Sequence, residues 1–248
     1  MRQDERAPFD RALHRARVAA YPSGEFVGQE SFMRASEIRA LAVRAGVGPG
    51  VAVLDLCCGV AGPGRFIARE LGCDYLGVDA SASAIAIAAE RAPDLRFAVA
   101  QIPPLPAGRF DVVLLLETML AFKDKDALVR AVAETGARFA FTLEEGVSLT
   151  PAERAAMPDA DTIWLTPLDE MTASLERAGL VVTSVEDHSR EHRAIAQALA
   201  RAFADDADAI AAGIGRRALD DLLAAHRLWI DWLGTGRVRK LAVVAELS

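Results

Sequence analysis

The sequence has few of the residues that mark secreted or membrane proteins. Its 248 residues include only three cysteines, Cys57, Cys58 and Cys73, which are too few and too close together for a secreted disulfide framework. No apolar run approaches the length that spans a bilayer, and the charged start MRQDERAPFD has no apolar core. We therefore expect neither a transmembrane helix nor a signal peptide, and predict a cytoplasmic protein without a membrane partner.

Positive charge is also scarce. Lysine and arginine number 28 against 35 aspartates and glutamates, which gives a formal net charge of −7. Nothing in this balance would draw the surface to phosphate backbones, so we predict no nucleic-acid partner. With 52% hydrophobic residues, the chain can bury one substantial core, and we predict a single domain over residues 1–248.

The sequence lacks histidines near its cysteines. A structural zinc site needs four ligands at spacings such as C-x₂-C, and a thioredoxin-like redox pair needs two residues between its cysteines. Cys57 and Cys58 are adjacent, and none of the four histidines lies nearby. We expect no metal site and interpret the two cysteines as small residues in a crowded turn.

Strand and helix signals alternate along most of the chain. Short apolar runs typical of strands occupy 51–56, 75–78, 95–100, 110–117, 138–143, 181–186 and 238–246. Helical patterns occupy 29–45, 65–71, 81–91, 123–135, 167–178 and 189–233. Near-continuous apolar strands separated by helices indicate a parallel sheet covered on both faces.

The stretch VLDLCCGVAGPG, residues 53–64, joins the first strand to a glycine-rich turn. It lacks the Lys-Ser or Lys-Thr of a P-loop, and its glycines have the wrong spacing for a dinucleotide fingerprint. It does place an acid, Asp55, in the strand, and a second acid, Asp79, ends the next strand twenty residues after Gly59. Because open parallel sheets bind ligands beyond the carboxyl ends of their strands, this turn is a candidate ligand site.

This ordered set resembles the nucleoside-binding half of the class I S-adenosylmethionine-dependent methyltransferases, whose first motif is commonly h-h-D-h-G-C-G-x-G. The resemblance covers roughly residues 30–145 and implies a Rossmann-like, doubly wound, seven-stranded, mostly parallel sheet with an antiparallel last strand. The sequence departs from the family's motif at Cys57, where the first glycine usually stands, and at Ala61, where the third glycine often stands. The turn must then tolerate a β-carbon at both places, with Gly62 supplying the missing flexibility.

The resemblance implies S-adenosyl-L-methionine as the cofactor. Asp79 would accept both ribose hydroxyls, and the backbone at Gly59 would approach the methionine moiety. Gln101 would accept from the adenine amino group in place of the family's usual Asp. The full implied cofactor-binding set is Phe26, Gln29, Asp55, Cys57, Gly59, Asp79, Ala80, Gln101, Ile102, Glu117 and Met119.

Two segments outside this core resemble lids. Residues 21–33 (YPSGEFVGQESFM) would fold over the cofactor through Phe26, Gly28 and Gln29, or alternatively form a plain hydrophobic staple at a helix start. The long helical pattern before the last strand resembles the substrate lid of methyltransferases that act on sarcosine and dimethylglycine, tocopherols or cyclopropane fatty acids. We therefore predict an N-terminal helical lid at 1–45, a core at 46–188, a substrate lid at 189–236 and a final strand at 237–248.

The predicted substrate lid carries aromatic residues that suit an apolar acceptor pocket. Trp229 and Trp232 share one helix face and, with Trp164, Phe203 and Leu228, would line this pocket or simply anchor the lid to the core.

Acids and histidines beyond strand ends could reach an acceptor: Glu117, Glu144, Glu145 and His188. His188 would be the proton acceptor, with Glu145 as partner or alternative base, unless His188 only caps the following helix. His14 and His226 are interpreted as helix surface. The expected activity is methyl transfer to an oxygen, nitrogen or carbon of a small molecule by a monomer or homodimer. The alternative is a cofactor-binding protein that catalyses a cyclisation or elimination, or that senses the cofactor.

Overall fold

A seven-stranded sheet forms the centre of the computed structural model, which describes residues 11–248. The strands are β1 (Ala52–Leu56), β2 (Asp74–Asp79), β3 (Arg96–Val99), β4 (Val112–Leu115), β5 (Arg138–Glu145), β6 (Leu180–Asp187) and β7 (Arg239–Leu247). Their order is β3-β2-β1-β4-β5-β7-β6, and β7 runs antiparallel between β5 and β6 while β1 to β5 pair in parallel. The predicted α/β fold with an antiparallel last strand is confirmed.

Helices cover the sheet and extend beyond it. They are α1 (Arg11–Ala20), α2 (Ala35–Arg44), α3 (Gly62–Leu71), α4 (Ala82–Arg91), α5 (Lys125–Ala133), α6 (Pro151–Ala156), α7 (Leu168–Arg177), α8 (Ser189–Asp205), α9 (Ala207–Ile214) and α10 (Arg216–Thr235). The helical region predicted between the sixth and last strands is thus three helices. Within residues 11–248, no helix has both the length and the hydropathy needed to cross a bilayer.

The sheet has an apolar core on each face. Successive side chains of a strand point to opposite faces, and in β4 all four are buried. Val113 and Leu115 pack into one core with Phe139, whereas Val112 and Leu114 pack into the other. Because both faces are covered, these strands need apolar residues at every position, which explains the continuous runs in the sequence.

Helices α1, α8, α9 and α10 form a further layer, which we call the lid layer. It has its own apolar core, with Leu13 from α1, Leu199 and Phe203 from α8, Ile210 from α9 and Leu219 from α10. Helix α1 and the three helices before β7 therefore form one packed unit. Residues 1–10, part of the predicted N-terminal lid, lie outside the described residues.

The helix predicted at 29–45 begins later, at Ala35. Gly24 and Gly28 have φ of +80° and +94°, so the chain before α2 forms a non-helical loop over residues 22–34. The Gln29 side chain holds this loop together: it accepts from the Val27 N–H at 2.7 Å and donates to the carbonyl oxygens of Glu25 and Met33 at 2.8 and 2.7 Å. Position 29 therefore does not start the helix, and the lid contact and the hydrophobic staple both stay predictions.

Candidate active site

Three adjoining cavities lie at the carboxyl ends of β1 to β4. The turn cavity, about 290 Å³, lies between the glycine-rich turn (57–63) and the loop at 28–33. The rim cavity, about 480 Å³, is lined by residues 100–103, Thr118 and residues 121–124 with Ala80. The lid cavity, about 270 Å³, lies between the loop, the strand ends and the lid layer. Since the strand order reverses between β1 and β4, this is the place where an open sheet binds its ligand.

The cavities share walls. Cys57 and Thr118 line both the turn cavity and the rim cavity, and Gln29 and Glu117 line both the turn cavity and the lid cavity. An elongated molecule in the rim and turn cavities would therefore meet a second molecule in the lid cavity. Seven residues of the implied cofactor set line this row: Gln29, Cys57, Gly59, Ala80, Gln101, Ile102 and Glu117.

The glycine-rich turn has a left-handed backbone at several positions. Cys57 and Ala61 have φ of +56° and +58°, so the turn does carry β-carbons in a conformation that favours glycine. The role expected for Gly62 is wrong, because its φ is not positive. A β-carbon there would lie 2.5 Å from the carbonyl oxygen of Gly28, so this glycine permits close approach of the loop. Burial raises the pKa of the Cys57 thiol to about 12, which keeps it protonated.

Cys57→Gly should preserve both stability and cofactor affinity. Glycine adopts the left-handed backbone without the steric cost of a β-carbon, which is about 1 to 2 kcal/mol. It also costs about 0.5 to 1 kcal/mol in backbone entropy and removes some side-chain packing. We expect the free energy of unfolding to stay within about 1 kcal/mol of wild type. Urea unfolding and calorimetry with S-adenosylmethionine measure the two quantities, with Cys58→Ala as the control. A tenfold loss of affinity would show that the Cys57 side chain itself contacts the ligand.

The carboxylate of Asp79, at the end of β2, is hydrogen-bonded to the turn that follows β1. Its Oδ2 accepts from the backbone N–H of Gly59 at 2.9 Å, and its Oδ1 accepts from that of Ser81 at 2.8 Å. A carboxylate has about four lone-pair directions, so both oxygens keep room for a further donor. The predicted contact with ribose hydroxyls stays a prediction, and this half-buried carboxylate is held in a fixed orientation beside the turn.

Four residues of the implied cofactor set line none of the three cavities: Asp79, whose carboxylate is bonded to the turn, and three side chains that lie behind the cavity walls. Met119 is fully buried in the sheet core. Phe26 packs in the lid layer, with its ring 5.4 Å from that of Tyr21. Asp55 is 3% exposed and accepts the Tyr75 hydroxyl hydrogen bond at 2.6 Å beneath α3. These side chains support the cavity walls from behind, so their placement offers no direct contact with a cofactor.

Asp55→Asn should change how stability depends on pH. Burial, partly offset by the Tyr75 hydrogen bond, raises the pKa of Asp55 from 3.8 to about 7. The folded state therefore binds this proton more tightly than the unfolded state, and the free energy of unfolding falls as pH rises from 3.8 to about 7. Asparagine stays neutral and can still accept from Tyr75.

At pH 8 we expect the free energy of unfolding of Asp55→Asn to exceed that of wild type by about 2 to 4 kcal/mol. At pH 4 the two proteins should differ little. Urea unfolding of both proteins across this range measures the difference. Equal pH dependence of the two proteins would contradict a raised pKa.

A buried ion cluster separates the turn cavity from the lid cavity. Lys240 Nζ lies 2.7 Å from Glu117 Oε2 and 2.5 Å from Glu144 Oε1. Although burial opposes it, Lys240 lowers the pKa of Glu117, whereas burial raises that of Glu144. Glu117 Oε1 is buried with no hydrogen-bond partner in residues 11–248, so one anionic oxygen remains free at the wall that the two cavities share.

The lid cavity has aromatic walls. Phe32, Phe203 and Trp229 line it, and Lys240 Nζ lies 5.7 and 5.4 Å from the ring centres of Phe32 and Trp229. Phe203 and Trp229 therefore line a cavity as predicted, and the role of this cavity as the acceptor pocket stays a prediction. The other three predicted members lie elsewhere: Trp232 and Leu228 pack around Leu149 and Val238, and the Trp164 ring is covered by Lys123 and Arg154.

Neither predicted catalytic residue lines the lid cavity. Glu145 is paired with Arg239 at 2.9 Å. His188 lies between Glu37 and Glu186, with nitrogen–oxygen distances of 3.6 and 3.5 Å, and Asp187 rather than His188 accepts from the Ser189 N–H. The catalytic roles of Glu145 and His188 stay predictions, and these placements give them no contact with the cavity.

The interpretation of His226 as helix surface is wrong. This histidine is 8% exposed and lines the lid cavity, with its ring 5.5 and 5.3 Å from those of Phe32 and Phe203. The signal was present in the sequence, because His226 follows Leu219 and Leu222 at helical spacing and precedes Trp229 by three. The apolar face of α10 therefore includes this histidine.

Comparisons with known proteins agree with this geometry. A family described as a methyltransferase domain matches residues 53–137. Phosphoethanolamine N-methyltransferase 3 of Arabidopsis thaliana is 36% identical over 88 residues, covering 33% of this chain and 18% of that protein. Methyltransferase GfsG of Streptomyces halstedii is 27% identical over 178 residues, covering 64% of this chain and 63% of that protein. The chain thus spans less than two thirds of the length of these curated relatives.

Solved structures share the fold. The mycolic acid cyclopropane synthase CmaA1, complexed with S-adenosylhomocysteine, superposes with a TM-score of 0.78 at 11% identity over 99% of this chain and 98% of that chain. The [4+2]-cyclase SpnF superposes with a TM-score of 0.70 at 21% identity over 91% of this chain and 85% of that chain. Residues 53–137 therefore match a methyltransferase domain, and the chain has the fold of these solved structures.

Proposed function

We propose that this protein transfers a methyl group from S-adenosylmethionine to an oxygen, nitrogen or carbon atom of a small organic molecule. The observation that carries the proposal is the row of three cavities, in which Glu117 and Gln29 form the wall common to the turn cavity and the lid cavity. A cofactor on one side of this wall and an acceptor on the other would meet at the carboxyl end of β4. Both relatives described above are named as methyltransferases, which supports the same activity.

The residues of the row fit this cofactor. Ala80, Gln101 and Ile102 would hold the adenosine end in the rim cavity, and Asp79 would accept the ribose hydroxyls. The backbone near Gly59 would face the methionine end in the turn cavity. The free Oε1 of Glu117 suits a group that carries positive charge, and S-adenosylmethionine has both an ammonium and a sulfonium.

The chain's own contribution is positioning and exclusion of water. When bound, the cofactor supplies a methyl group on a sulfonium, which needs an acceptor in line and little further protein chemistry. The loop at 22–34 and the lid layer cover the site, and Tyr21 holds the loop by donating from its hydroxyl to the Ser31 carbonyl oxygen. The aromatic walls of the lid cavity favour an acceptor with an apolar body. A cytoplasmic location and a monomeric or homodimeric state stay predictions from the sequence.

The test is calorimetry with S-adenosylmethionine, followed by incubation with candidate acceptors and detection of S-adenosylhomocysteine. Binding in a one-to-one ratio and acceptor-dependent release of S-adenosylhomocysteine are expected. An acceptor that is converted while the cofactor is not consumed would instead identify a cyclisation or elimination. Absence of cofactor binding by the folded protein would overturn both readings.

A further inference from the structure

We propose that His226 is the general base of the reaction, and that the acceptor therefore presents a hydroxyl group on an apolar body. The inference rests on the proposed methyl transfer and narrows it to oxygen. It assigns a catalytic role to a residue of the lid layer, on α10, rather than to the strand ends from which the other polar groups of the site come.

One hydrogen bond fixes the tautomer of His226. Its Nδ1 lies 2.8 Å from the backbone carbonyl oxygen of Leu222. A carbonyl oxygen only accepts, so Nδ1 carries the hydrogen and, in a neutral ring, Nε2 carries the lone pair. No residue from 11 to 248 forms a hydrogen bond with Nε2. The ring therefore presents an unused proton acceptor.

The surroundings keep this ring neutral. Burial lowers the pKa of His226 below its usual 6.5, and the positive charge of Arg17 lowers it further, although the Leu222 carbonyl acts in the opposite direction. Phe32 and Phe203 pack edge-on against the ring and allow it few alternative orientations. At neutral pH the imidazole is thus uncharged and able to take a proton.

The other charged or titratable groups that line the lid cavity are poorly suited to accept a proton. Glu30 is paired with Arg17 at 2.9 Å, and Glu117 is paired with Lys240 at 2.7 Å. The lowered pKa of Glu117 makes it a weak base but a good partner for a cation. Burial raises the pKa of Tyr21, whose hydroxyl already donates to Ser31, so this phenol stays protonated. His226 is the uncharged base among the described residues of this cavity.

A hydroxyl acceptor makes use of such a base. As the oxygen lone pair forms a bond to the methyl carbon, the carbon–sulfur bond breaks and its electron pair goes to sulfur. The O–H proton passes to Nε2 of His226, and the resulting imidazolium later releases it to water. An uncharged amine attacks with its own lone pair and releases a proton to water only after the nitrogen–carbon bond has formed, so it needs no base during the attack. A base set among Phe32, Phe203 and Trp229 therefore indicates an alcohol or phenol on an apolar frame.

The tautomer can be tested without turnover. Long-range proton–nitrogen spectra of nitrogen-15-labelled protein should show His226 protonated at Nδ1 alone at pH 7, with a pKa below 6.5. His226→Gln identifies its resonances by their loss. A ring protonated at Nε2, or at both nitrogens, at pH 7 would refute the proposal.

Turnover is tested with 4-butylcyclohexanol and, for comparison, 4-butylaniline, whose amino group is uncharged at pH 7, each with S-adenosylmethionine. Wild type should methylate the alcohol, and His226→Gln should lower kcat by about 10²- to 10⁴-fold with KM little changed. The variant should also lose the fall in rate at acidic pH. His14→Gln, whose side chain is exposed on α1 and does not line the lid cavity, is the matched control and should behave as wild type.

The outcomes separate the two proposals. Failure of wild type to bind S-adenosylmethionine in calorimetry overturns the proposed function itself. If wild type binds the cofactor, then methylation of the amine alone, no methylation of the alcohol, or an unchanged kcat in His226→Gln each overturns the role of His226.

Discussion

Lys240→Met should lower the free energy of unfolding by about 3 to 5 kcal/mol at pH 7, because two buried carboxyl groups lose their common cation. The Lys240 side chain is 5% exposed, and those of Glu117 and Glu144 are 10% and 0% exposed. Water therefore cannot replace the ammonium as a partner of Glu144, whose side chain is fully buried. Urea unfolding followed by circular dichroism measures the loss.

Two controls isolate the charge effect. Arg96→Met removes a partner of Asp74 in a pair whose side chains are both 61% exposed, and it should cost less than about 1 kcal/mol. Combining Lys240→Met with Glu117→Gln and Glu144→Gln should restore most of the stability, since no unpaired charge remains buried. A single Lys240→Met variant within 1 kcal/mol of wild type would be incompatible with the cluster as described.

Asp79→Ala should weaken binding of S-adenosylmethionine by about 1 to 3 kcal/mol, or about 5- to 150-fold. Two causes act together: the predicted bonds to the ribose hydroxyls are lost, and the N–H groups of Gly59 and Ser81 lose their acceptor, which loosens the turn. Calorimetry measures the affinity, and urea unfolding shows whether the fold is retained.

Asp74→Ala is the matched control on the same strand, because Asp74 lies at the opposite end of β2 and its side chain is exposed. The affinity of this variant for S-adenosylmethionine should equal that of wild type. Asp79→Asn should fall between wild type and Asp79→Ala, since an amide keeps one of the two acceptor oxygens. Unchanged affinity in a folded Asp79→Ala protein would remove the ribose contact from the proposal.

The sheet and the turn could be predicted because their signals are local. Strands buried on both faces must be apolar throughout, and the acids Asp55 and Asp79 stand at fixed distances from the turn. The left-handed residues Cys57 and Ala61 followed from positions where glycine is usual. What the sequence left open at the turn was close approach, since the need for Gly62 arises from the backbone of Gly28.

The ion cluster and the base could not be predicted in the same way. Lys240 faces Glu144 because β7 pairs antiparallel with β5, which places residues 96 apart in sequence directly opposite each other. His226 reaches the site only because α10 packs over the strand ends. His188 and Glu145 follow strand ends as expected, but His188 lies against Glu37 and Glu145 is paired with Arg239, both outside the cavity.

The separate origins of the cavities offer a route to directed evolution. Helices α8 and α10 supply an apolar wall of the lid cavity through Leu199, Phe203, Leu222 and Ala225, whereas strand ends and the turn supply the other two cavities. A combinatorial library at those four positions would vary the acceptor chamber while every member keeps the same cofactor-binding turn. Cofactor affinity then becomes a common baseline, against which changes in acceptor preference are read directly.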